Sequence, residues 1–206
     1  AHRARCASAD PTHLDSQEKQ ANAHIEQLIE AYPQRVVEQT LGERRYRTFS
    51  LDSWLYTDPD TDFTSHHTLV GSDIILTQSQ GVLSPATVVG STANAHKVSA
   101  DLGGVELYYI HDSRGVTKVS RRARVVLKGL FSQEPVPAKL SVIVGRPSHA
   151  VMTKWLRIVA PSIFQSWSVA SSVEAAIEII DEHRQRDRVL LESVLEGQEA
   201  EITALE

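Results

Sequence analysis

Apolar residues recur at three- and four-residue spacing over 16–32, at Ala21, Ile25, Leu28, Ile29 and Tyr32. That spacing predicts an amphipathic helix, capped by Asp15 or Ser16 and broken at Pro33. Val36, Val37 and Leu41 predict a second, short helix ending at Gly42. The β-formers of 46–56 predict a strand or extended lead-in, and Asp58-Pro59-Asp60-Thr61-Asp62 an acidic turn. The small, basic opening 1–12 is expected to fray.

From about 67 to 184 the pattern changes to alternating strand and helix. Residues 73–77 (D-I-I-L-T) predict a short strand that pairs with 81–83 through a polar turn at 78–80. Ser84-Pro85 is a helix start, with the helix running to about Leu102 and the Gly103-Gly104 stop. Residues 105–110 (V-E-L-Y-Y-I) are the strongest strand, followed by a turn at 111–115. Ser120 caps a helix through Ala123, Val126, Leu127, Leu130 and Phe131. Residues 140–144 (L-S-V-I-V) read as a buried strand. A helix with Val151, Met152, Trp155, Leu156 and Val159 follows, then a short strand at 164–169 and a long helix capped by Ser171 or Ser172. Strands alternating with long helices predict an α/β sheet, largely parallel, with a mixed edge from the first hairpin.

The end of the last helix carries Leu191, Leu195, Ile202 and Leu205 on a 4-3-4-3 seam, with Gln198 between Leu195 and Ile202. A free helix of that length is marginal, so the seam is expected to pair with a second subunit or with helix 16–32. A chain continuing beyond Glu206 would make this helix a connector. Three zones result: residues 1–65 as a helical arm and acidic linker, 66–184 as the α/β domain, and 185–206 as a dimerising or connecting helix.

Composition narrows the class. The 206 residues are 41% hydrophobic and 23% charged, enough to bury a core. A net charge of -5 argues against broad nucleic-acid binding. No apolar run is long enough to cross a membrane, no signal-peptide pattern opens the chain, and the cytoplasm is the expected compartment. The single cysteine, Cys6, excludes an internal disulfide and a thiolate zinc cluster.

Candidate chemistry is sparse. His111-Asp112-Ser113 are adjacent, and neighbouring residues point apart where a catalytic triad converges from distant segments. They are expected to bond local backbone. The D-x-D-x-D of 58–62 lacks the glycine and glutamate of a calcium loop, with Phe63 and Leu69 in those places, so a solvated acidic turn is expected, with His66 and His67 as surface histidines. Lys118, Arg121, Arg122, Arg124 and Lys128 form a basic cluster, with Arg121, Arg124 and Lys128 on one helix face. Arg146, Ser148 and His149 stand at the carboxyl end of a parallel strand, where α/β ligands bind. Met152 and Trp155 are expected to pack in the core; the alternative is that, with these three, they line an apolar ligand pocket. There is no phosphate-binding glycine loop. No catalytic residues, metal ligands or cofactor are assigned.

The run Tyr108-Tyr109-Ile110-His111-Asp112-Ser113-Arg114-Gly115-Val116-Thr117, then Val119-Ser120, the strand at 140–144 and Ser171-Ser172-Val173-Glu174-Ala175-Ala176 resemble the STAS family of sulfate-transporter and anti-sigma-factor-antagonist domains, in the broader superfold shared with CRAL-TRIO. The resemblance covers about 69–183. It implies a four- to five-stranded sheet with helices mainly on one face, and a regulatory module rather than an enzyme. Phosphoswitch members carry D-S-S-G-L after the central strand. Here Asp112-Ser113-Arg114-Gly115-Val116 puts arginine where the switchable serine stands, so that switch is expected to be absent. The resulting expectation is a non-enzymatic bacterial signalling module that docks a protein partner or fused output domain through Arg114, Lys118, Ser120, Arg121, Arg122, Arg124 and Lys128, with homodimerisation along the seam. A small-molecule or lipid sensor with an apolar ligand is the alternative, and an enzyme the third. Neither nucleic-acid binding nor membrane insertion is expected.

Overall fold

The computed structural model describes residues 11–133, 136–145 and 167–203. Chain order is α1 (Pro11–Ala31), β1 (Val36–Leu41), β2 (Arg44–Phe49), β3 (Leu55–Thr57), β4 (Thr64–Val70), β5 (Ile74–Leu83), α2 (Pro85–Asp101), β6 (Leu107–Val119), α3 (Arg121–Gln133), β7 (Ala138–Val144), β8 (Trp167–Ala170) and α4 (Val173–Thr203). The eight strands form one sheet in the order β1-β2-β4-β5-β6-β7-β8, with β3 paired to β4. Pairings are antiparallel from β1 to β5 and parallel from β5 to β8. The mixed α/β class expected from the strand–helix alternation holds.

The sheet is wider than the expected four to five strands, because β1, β2 and β3 join it. The helix expected at Val36, Val37 and Leu41 is instead strand β1. Its β-branched residues favour extended backbone. Leu41 pairs directly with Arg44 across a two-residue turn, Gly42-Glu43, with Gly42 at φ +63. Glycine at the first place of such a turn matches the twist of the two strands.

Two predicted turns are also strand. Residues 78–80 continue β5 and 111–115 continue β6, because the two strands run side by side from Ile74–Tyr108 to Leu83–Val119. The ladder shifts register between Gln78 and Gln80. A Cβ on Gly115 would lie 2.8 Å from the Ser79 carbonyl oxygen, and one on Gly81 would lie 2.6 Å from that of Asp62. Close backbone approach therefore requires glycine at both points.

Side-chain alternation makes two cores. On one face Ile74, Leu76, Tyr108, Ile110, Val142 and Val144 pack under Val173, Ala176, Ile177 and Ile180 of α4. On the other, Leu69, Ile75, Leu107 and Tyr109 pack under Ile25 and Ile29 of α1, Val98 of α2 and Leu102 at the C-cap of α2. Trp54, wholly buried, locks this second core. Its ring meets Phe49 edge-on at 5.5 Å, its Nε1–H donates to Asp101 Oδ2 at 2.9 Å, and its carbonyl accepts from Asn94 Nδ2 at 3.0 Å. Ser84 caps α2 reciprocally, accepting from Thr87 N at 3.2 Å while its own N–H donates to Thr87 Oγ1 at 2.7 Å. Pro85 fills the first helical position.

Val142→Asp should remove cooperative unfolding or cost at least about 3 kcal/mol, because Val142 is fully buried and an unpaired carboxylate there has no partner. Thermal denaturation followed by circular dichroism checks this. A melt equal to that of the unchanged chain would contradict the central placement of β7.

Candidate functional site

The clearest charged surface lies where β6 runs into α3. Ser120 caps that helix as expected, its Oγ accepting from Ala123 N at 3.1 Å, and Ser120 N donates to the Leu83 carbonyl at 3.0 Å. This second bond ties the start of α3 to the end of β5. Ala123 is fully buried, which turns Arg121, Arg122 and Arg124 outward; all three are exposed, as is Lys118 at the end of β6. Val125, 72% exposed, lies on the same outward face as Arg121 and Arg124 by helical spacing. Lys128 lies on α3 one turn further on.

The charge here runs against the helix. A helix N-terminus carries about half a positive charge and is stabilised by acids. The first turn of α3 holds no acid. Three arginines stand there instead, adding positive charge to the positive end.

Arg114, expected to belong to this partner face, is engaged internally. It lies two residues from Asp112 on one face of β6, not in a turn. Its Nε and Nη2 donate to the two carboxylate oxygens at 2.9 and 2.8 Å, and its backbone N–H donates to Oδ1 at 3.2 Å. Burial works to raise the Asp112 carboxyl, but these bonds outweigh it and hold it below the usual carboxylate range. The Ser113 hydroxyl donates to the Val144 carbonyl at 3.0 Å. The stretch aligned with a phosphoswitch thus has its arginine in a bidentate ion pair and its serine bonded to β7.

The ion pair borders an open groove of about 530 Å³ whose lining includes Leu55, His66, Gln78 and Gln80. A second depression of about 340 Å³ shares Leu55 and His66 and reaches Arg35 and Asp52, which form an ion pair. In the wall, Ser50 Oγ is 2.8 Å from His66 Nε2 and donates to the His67 carbonyl at 2.9 Å. With the serine proton on that carbonyl, the hydrogen shared with His66 comes from the imidazole Nε2. Nearby, Glu174 in the first turn of α4 accepts from Gly42 N at 3.1 Å, pinning the β1–β2 turn to the helix.

His66 and His67 face opposite sides of the sheet. The expectation of two surface histidines fails for His67, which is 2% exposed. His67, Thr77 and His111 are register partners across β4, β5 and β6. His67 Nδ1 is 3.0 Å from Thr77 Oγ1. The His111 ring stacks on Tyr109 at 6.0 Å and on Trp167 at 5.2 Å. Burial, with a smaller push from neighbouring histidines on His67, lowers both imidazoles to about 4. The sequence pattern predicts no element over 64–70 and a turn at His111, so this row comes from strand register alone. Asp58 is likewise not solvated: it is buried and accepts from Tyr56 Oη at 3.0 Å and Asp60 N at 3.1 Å, shaping the turn before β4.

The pocket candidates Arg146, Ser148, His149, Met152 and Trp155 lie outside the described residues. Of the seam, Leu191 is 52% exposed, Leu195 and Ile202 fall on α4, and Leu205 lies outside the described residues. Helix 16–32 does not supply the seam's partner, since α1 and α4 pack on opposite faces of the sheet. Among the described residues no group of histidine, cysteine and carboxylate side chains could hold a metal, and no helix is long and apolar enough to cross a membrane.

No family model matches the chain, and no curated protein matches it. Among solved structures, an uncharacterised protein of the DUF3478 family from Shewanella loihica PV-4, described as having a SpoIIAA-like fold, is similar at 13% identity and a TM-score of 0.46, covering 60% of this chain and 97% of its own. The likeness concerns the fold; what the chain does rests on its own residues.

His67 and His111 set an acid limit. Their folded-state pKa values lie below the unfolded value of 6.5, so the unfolded chain takes up protons first as pH falls. Their stabilisation is complete above about pH 6.5 and is lost towards pH 4, on the order of 1 to 2 kcal/mol each by pH 5. Urea unfolding at pH 7 and pH 5 should show this loss, and His111→Phe should reduce it. Equal pH dependence in the variant would count against a neutral, desolvated His111.

Proposed function

We propose that the chain is a non-enzymatic regulatory module that works by docking an acidic surface of a protein partner onto α3. The observation that carries this reading is the arginine-rich first turn of α3, which lacks any acid. Such a turn costs folding stability, no ion pair to its arginines occurs among the described residues, and a local rule broken in this way points to a functional site. An acidic partner supplies the missing negative charge to the arginines and to the helix end together. Exposed Val125 gives the face an apolar centre within a charged rim, the usual anatomy of a docking patch.

The cap and its neighbours support a fixed presentation of this face. Ser120 bonds both into α3 and back to β5, so Lys118 and the arginines sit on a defined corner. Arg114, closed on Asp112, serves the fold and leaves the docking to Lys118, Arg121, Arg122 and Arg124.

Arg121→Glu with Arg122→Glu should therefore act in two opposite ways. Stability should rise, by about 0.5 to 2 kcal/mol for the pair, because acids now meet the helix N-terminus. Quantitative co-purification from the native host should lose the partner that the unchanged chain retains. A variant that is no more stable and captures the same proteins in the same amounts would end this reading.

A further inference from the structure

The second charged frustration lies at the other end of the chain. Helix α4 begins against the sheet through Val173, Ala176, Ile177 and Ile180. Arg184 closes this contact, with its Nη1 donating to Asp181 Oδ1 at 2.7 Å and its Nη2 paired with Asp73. Beyond it the helix leaves the body, and residues 185–194 are all exposed. The helix runs on to Thr203, so the projecting stem is about 28 Å long at 1.5 Å per residue.

The stem keeps the apolar face of the packed half. Leu191 follows Ile180 by eleven residues, three helical turns, and so returns to the same side. Leu190, Leu191 and Val194 are 65%, 52% and 48% exposed. A solitary helix of this length is marginal in water, and its apolar face needs a cover.

The charges along the stem say what covers it. Arg186 and Arg188 stand near the body, with Asp187 between them turned back to His183, while Glu192, Glu196, Glu199 and Glu201 follow towards the tip. No base occupies the last turn, so the acidic tip adds negative charge to the negative end of the helix dipole. A second copy laid parallel would align glutamates with glutamates. A second copy laid antiparallel, centred between Leu191 and Val194, brings the arginine segment of each stem beside the glutamate segment of the other. It also opposes the two dipoles and joins the apolar faces at their centre.

We propose that the α4 stem is a homodimerisation element in which two copies pair antiparallel, basic base against acidic tip. The two sheets then sit at opposite ends of the paired stems, with the Ile180 positions about 37 Å apart along the axis. The pairing uses no residue of α3, so this association is argued independently of the docking reading.

Sedimentation equilibrium of the full chain should give a dimer, and Leu191→Asp with Val194→Asp should shift it to monomer, weakening association at least tenfold. Both residues are exposed, so the thermal melt of the sheet should survive the change and separate lost pairing from lost folding. Orientation is read by disulfide formation in a Cys6→Ser background, mixing an Asp187→Cys chain with a Gln198→Cys chain. These positions are equidistant from the proposed centre. A cross-link between the two different chains, dominant over links between like chains, supports the antiparallel pair. Dominant like-with-like links mean parallel stems and overturn it. A monomer for the unchanged chain at about 50 μM would also overturn it, leaving the stem for a different protein.

Discussion

The parallel pairing of β5 with β6 is the contact on which the other features depend. It joins the antiparallel half of the sheet to the parallel half, and its residues supply the centre of both cores. The pairing continues past the ends of its neighbours to Leu83 and Val119. This extension sets where α2 and α3 begin, and the bond from Ser120 to the Leu83 carbonyl joins the two starts. The arginine corner is therefore positioned by backbone hydrogen bonds. Gly115 lets β6 approach Ser79 and Gln80 of β5, and Gly81 lets β5 approach the Asp62 and Phe63 backbone before β4; a side chain at either point would push these segments apart.

Charge placement in this molecule divides into satisfied and unsatisfied sites. Asp112 with Arg114, and Asp73 and Asp181 with Arg184, are closed pairs that fasten β6 and α4. The N-terminus of α3 and the C-terminal part of α4 carry charge of the same sign as the helix end they occupy. Each helix would gain from the opposite charge. Keeping the unfavourable sign makes sense where an external surface completes the field, and the two sites want opposite partners: an acidic surface for α3, a basic one for the tip of α4.

Much of the parallel half was legible in the sequence. The 140–144 strand, the Ser84-Pro85 start, the Ser120 cap and the long last helix all stand where residue chemistry indicated, because each rests on local rules of burial, capping or periodicity. The antiparallel edge was less legible. β1 and β2 are largely exposed, so they lack a clean apolar alternation, and short valine and leucine spacing in β1 imitates a helix. Within 78–80 and 111–115, polar residues and glycine imitate turns, yet the long ladder between β5 and β6 holds both extended.

The candidate sites divide in the same way. The arginine cluster and the apolar positions of the last helix are properties of spacing along one helix, and the sequence by itself determined them. That Arg114 closes on Asp112, that His67 is buried beside Thr77 and His111, and that α1 lies on the far side of the sheet from α4 were decided only by tertiary structure. Strand register is a long-range choice: it fixes which residues from distant segments share a face, and no local pattern encodes that pairing.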